Sequence, residues 1–110
     1  MIDDTLKKIE TQLNSSESIP EERRQELLQL VATLKSEVAM LSETHEEAAQ
    51  SIAGFTQVTA HEATRETRHP ELLDLSLQGL RSSVEGFEKT HPRLVQLVNS
   101  ISNTLSNLGI

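Results

Sequence analysis

Apolar residues recur along this chain at spacings that alternate between four and three. The first set is Ile2, Leu6, Ile9 and Leu13, one face of a short helix over residues 2–15. It stops in the polar cluster Asn14-Ser15-Ser16-Glu17, and Ser18-Ile19-Pro20-Glu21 then has the form of a capping box with proline early in the following helix. The second ladder is Leu27, Val31, Leu34, Val38, Leu41, His45, Ala48, Ile52, Phe55 and Thr59. Its period of 3.5 residues over more than four heptads is that of a coiled-coil seam. No proline interrupts it, and it predicts one helix over residues 20–66, roughly 70 Å long at about 1.5 Å per residue. A second reading exists at Ser42-Glu43-Thr44, because Thr44-x-x-Glu47 also fits a capping box and would stop and restart the helix there.

Arg68-His69-Pro70 is the clearest turn, since proline biases the residue before it away from helix. The third ladder follows without a slip: Leu73, Leu77, Leu80, Val84, Phe87, His91, Leu94, Val98, Ile101, Leu105 and Leu108. It passes through Thr90-His91-Pro92, so either one kinked helix or two stacked helices, over residues 70–89 and 92–108, keep one register. Gly109 stands where a C-terminal cap belongs.

Folding the chain at residue 68 brings the two long ladders together in antiparallel order, with Leu34 opposite Ile101, Leu41 opposite Leu94, Ala48 opposite Phe87 and Phe55 opposite Leu80. The expected fold is therefore all-α, a single domain over residues 1–110. It is a long antiparallel, coiled-coil-like helical hairpin with a short N-terminal helix. Two helices alone bury too little apolar surface to offset the entropy of ordering the chain, so a third layer is required. The N-terminal helix can cover the end formed by residues 20–42 and 92–110. Leu28, Leu30, Met40, Leu72, Leu75, Val95 and Leu97 flank the seams and form a second contact face. That face predicts a bundle completed by oligomerisation, a homodimer first.

Composition narrows the function. The formal net charge of -7 repels phosphate backbones and anionic membrane surfaces, so neither nucleic acid nor membrane is an expected partner. The apolar runs are far shorter than the roughly 20 residues of a membrane span. Met1-Ile2-Asp3-Asp4 lacks the basic and apolar regions of a signal sequence, which points to the cytoplasm. There is no cysteine, hence no disulfide framework or thiolate chemistry.

The sharpest chemical candidate is histidine. His45 and His91 occupy facing seam positions, and with the nearby Glu88 they are candidates to hold a metal. The plainer reading is that each imidazole is half-buried and hydrogen-bonded to a neighbouring carboxylate or carbonyl. Glu-x-x-His occurs at Glu66/His69 and Glu88/His91, a spacing used by di-iron bundles. Each histidine here precedes proline, so each pattern straddles a helix boundary instead of lining one inward face. No nucleophile elbow and no glycine-rich phosphate loop is present. Neither a catalytic residue nor a cofactor is expected.

Phe87-Glu88-Lys89-Thr90-His91-Pro92-x-Leu94, together with the terminal Leu105-Ser106-Asn107-Leu108-Gly109-Ile110, resembles a family of small bacterial proteins of unknown function that carries F-E-x-x-H-P-x-L and L-S-N-x-G-I segments. The N-terminal short helix, polar break and Pro-Glu-Glu before a leucine-rich helix are also similar. The resemblance implies a helical fold and a bacterial cytoplasmic setting. It implies no activity or catalytic residue. The expected function is a non-enzymatic, self-associating structural or protein-interaction module. The alternative is a metal- or ligand-binding bundle using His45 and His91. A further possibility is an adaptor that grips a partner through its tip, residues 48–87.

Overall fold

A computed structural model describes residues 2–108, and all its regular elements are helices: α1 Ile2–Ser15, α2 Glu21–Ser42, α3 Glu46–Thr64, α4 Pro70–Ser82 and α5 Pro92–Leu108. The glycine cap expected at Gly109 lies outside the described residues. The helix expected over 20–66 is two helices. Leu41 closes α2 by accepting from the amides of both Thr44 and His45, at 3.1 and 2.7 Å, and α3 restarts at Glu46. The alternative stop at residues 42–44 is thus where the chain breaks, but not through a capping box. The Thr44 hydroxyl meets its neighbour His45 Nδ1 at 2.8 Å, and the N-cap of α3 is His45, without a side-chain cap bond. The helix expected over 70–89 likewise ends early, at Ser82. Residues 83–91 are a run of turns in which Gly86 takes φ +93°, a left-handed conformation that costs any other residue.

These two breaks change the overall shape. The longest dimension is 37 Å and the Cα radius of gyration 12.9 Å, against about 13 Å for a compact chain of this length. A 70 Å hairpin is excluded. The helix neighbours of that hairpin persist, α2 beside α5 and α3 beside α4, but the α2–α5 side-chain contacts do not follow the expected register of Leu34 opposite Ile101. Glu26 meets Thr104 and Glu37 meets Arg93, so α2 and α5 run antiparallel. Phe55 of α3 lies across Gly79 of α4, one residue from the expected Leu80. The rod is folded in two, and its halves lie side by side.

What holds the halves together is α3. It touches each of the other four helices, and its buried face is made mostly of small residues: Ala49, Ala53, Thr56, Thr59, Ala60 and Ala63, with Ile52 and the Arg65-paired Glu62 the two large side chains. That face is shifted from the seam read in the sequence, because Ala49 and Thr56 are buried while Ala48 is half-buried and Phe55 exposed. The hydroxyls of Thr56 and Thr59 donate to the carbonyls of Ile52 and Phe55 at 2.7 Å, so burying them leaves no polar group unpaired.

The third layer comes from the same chain. Leu6, Ile9 and Leu13 of α1 are fully buried, and α1 packs on α2 and α3, not on the α2–α5 pair as the sequence suggested. Lys35 Nζ donates to Glu10 Oε1 at 3.1 Å, and Gln12 Nε2 donates to Thr64 Oγ1 at 3.3 Å, fixing α1 to both neighbours.

The α1–α2 connection is held by Arg24. The capping box read at Ser18 and Glu21 does not form, and Pro20 caps α2 without a side-chain bond. Arg24 instead reaches back to the end of α1. Its Nε donates to the Leu13 carbonyl at 3.1 Å, and its terminal nitrogens donate to the carbonyls of Ser16 and Ile19 and to Glu21 Oε2. The Leu13 carbonyl in the last turn of α1, and those of Ser16 and Ile19 in the connection, are thereby satisfied. Hydrogen bonding from Gln25, then the bond and charge of Arg24, hold the Glu21 carboxyl below its ordinary value of 4.5.

Two outcomes follow. Ile9→Ala, which empties the centre of the α1 contact, lowers unfolding free energy in urea by about 2–5 kcal/mol. Because the Glu21 pKa is depressed in the folded state, its contribution is present at neutral pH and is lost as pH falls through the region below 4.5. In Arg24→Met the Glu21 carboxyl, followed by NMR, titrates at a higher pH than in the parent protein.

Candidate functional site

The two breaks lie in the same layer of the folded rod, and the histidines sit there. The His45 and His91 ring centroids are 6.1 Å apart, and the Phe87 ring stands edge-on to each at 5.4 Å. Both histidines immediately precede a helix, His45 before α3 and His91 before α5, and each pairs its Nδ1 with the hydroxyl of the threonine before it, at 2.8 and 2.9 Å. The repetition is local chemistry: a Thr-His pair at the end of a turn, with the imidazole leaning on the shared phenyl ring. His45 is exposed and His91 half-buried.

This arrangement does not assemble a metal site. Among the described residues no group of three or more His, Cys, Asp or Glu side chains stands together to hold an ion. Glu88, the third candidate, is occupied elsewhere, with its Oε2 accepting from the Gly86 amide at 2.8 Å and closing the turn around the left-handed glycine. The Glu66/His69 echo lies at the other end of α4, where the His69 carbonyl accepts from the amides of Leu72 and Leu73. Likewise among the described residues, no helix is long and apolar enough to cross a membrane.

The flanking apolar positions part company in three dimensions. Leu28, Leu30 and Val95 are half-buried against the core, and Leu97 is buried. Met40 is 67% exposed on α2, which does not touch α4. Leu72 and Leu75 are exposed on α4, and so are two residues of α3 that the periodicity did not assign to a surface, Phe55 and Val58. Phe55 was read as a seam residue. Only the phase of the alanines in α3 signals that it faces outward.

Together these four are the apolar strip of α3 and α4. Phe55 lies across Gly79, and Val58 is one turn on from Phe55 in α3, before the buried Glu62 that pairs with Arg65 at 2.9 Å. Leu72, Leu75 and Gly79 share one face of α4 at spacings of three and four. A Cβ at Gly79 would come 2.3 Å from the phenyl ring, so the ring keeps this position over α4 only with glycine beneath it. Exposures of 40% for Phe55, 48% for Val58, 39% for Leu72 and 61% for Leu75 make these four of the five exposed large hydrophobics among the described residues, and they concentrate on the neighbouring helices α3 and α4.

Residues 61–110 match a domain of unknown function, DUF4404. The matched segment begins near the end of α3 and takes in α4, the turns with Phe87 and His91, and α5. No curated protein and no solved structure matches the chain.

The histidine layer acts as a packed corner, and that is measurable. Phe87→Ala removes the ring both imidazoles lean on and lowers stability by about 1–3 kcal/mol, less than a fully buried phenylalanine. The ring resonances of both His45 and His91 shift in the same variant.

Proposed function

We propose that this protein is a non-enzymatic helical module of the cytoplasm that works by associating with itself. The observation that carries this reading is the apolar strip of Phe55, Val58, Leu72 and Leu75, left uncovered by a chain that has otherwise completed its core. The third layer demanded by the two long ladders is supplied by α1, so the strip is not an unfinished core. It is surface with the character of an interface. The net charge of -7 argues against nucleic acid as the partner. The His45–His91 pair supports a structural role, since its Nδ1 atoms and Glu88 are engaged in local turns.

Sedimentation velocity or light scattering on the purified full chain, over about 10 µM to 1 mM, covers the affinities expected of a small interface. The mass is expected to rise toward twice the chain mass. A mass that stays monomeric throughout overturns the reading.

A further inference from the structure

We infer that the strip pairs with its own copy about a two-fold axis, with α4 of one protomer lying antiparallel to α4 of the other. This rests on the self-association proposed above and adds the surface and its orientation. The argument comes from the charges beside the strip. Glu71, Asp74, Gln78 and Arg81 follow one another at spacings of three, four and three, so they form a polar rail along α4 on the side away from α3. Both acids occupy the first half of the helix and the arginine its last turn. Among the described residues none of these three charges has an ion pair within the chain.

A parallel partner would set Glu71 and Asp74 against the same acids and Arg81 against Arg81. An antiparallel partner crossing near residue 76 sets Glu71 and Asp74 of each copy against Arg81 of the other. A two-fold interface repeats each such contact twice. The same operation puts Leu75 near the axis and brings Phe55 and Val58 of both copies to one side of the α4 pair, where the two strips merge. The apolar area is small for an obligate dimer and fits the weak end of specific interfaces, so rim charges are expected to decide orientation.

The test uses the full chain and reads the dissociation constant by sedimentation. Leu75→Glu is expected to be monomeric at concentrations where the parent is dimeric, with its helical circular dichroism unchanged because Leu75 is 61% exposed. Arg81→Glu and Glu71→Arg, each alone, put like charges face to face and weaken the dimer about tenfold or more. Combined, they restore it, because the pair is re-formed with its signs exchanged. A dimer that survives Leu75→Glu, or charge variants without mutual rescue, overturns this interface while leaving self-association through another face intact. A parent chain that never dimerises overturns both.

Discussion

The structure depends on how closely helices can approach α3. A helix that must touch four neighbours in a chain of 110 residues cannot present a leucine ridge to each of them. Ala49, Ala53, Ala60 and Ala63, with two threonines whose hydroxyls bond back to their own helix, give it a smooth, narrow face. The large side chains come from outside: Leu6, Ile9 and Leu13 from α1, Leu27 to Leu41 from α2, Leu80 from α4, Leu94 to Leu105 from α5. Large residues against small ones let the layers interdigitate at the density of a protein interior. Replacing that alanine face with leucines would hold the neighbours off.

That constraint explains why the hairpin folds in two. Each arm satisfies its own pairing, α2 with α5 and α3 with α4, and either arm alone would leave half of every helix in water. The alanine face of α3 offers the nearest apolar surface for α2 to pack on, and a reversal at residues 43–45 reaches it. The opposite strand must turn at the same level, and it does so through residues 83–91. Both turns fall where the ladders carry histidine in place of leucine. A seam layer of His45, Phe87 and His91 has less to lose from being brought to the surface, and its polar atoms find threonine hydroxyls in the turns themselves.

Closing the core within one chain decides what is left for function. With α1 docked in cis, the demand for a second copy to complete the hydrophobic layers disappears. Four of the five exposed large hydrophobics among the described residues then lie on α3 and α4. That face lies at the edge of the bundle because α1 and α4 do not meet across α3, so one side of α3 stays open between them.

The ladders themselves determined the helical class, the α1 stripe, the antiparallel partners α2–α5 and α3–α4, and the meeting of His45 with His91. Heptad spacing and proline placement are local properties, and pairing between neighbours in sequence follows from short connections. They could not determine that the rod would double over, because a heptad ladder reads the same through a bend that keeps its register, and periodicity does not distinguish a leucine seam facing one partner from an alanine face serving four. Only tertiary packing settled that Phe55 lies outward across Gly79, that Leu97 is buried, and that Val58 is exposed as Leu72 and Leu75 are. Each of those depends on which helix lies alongside, and that in turn depends on the volume of side chains far away in the chain.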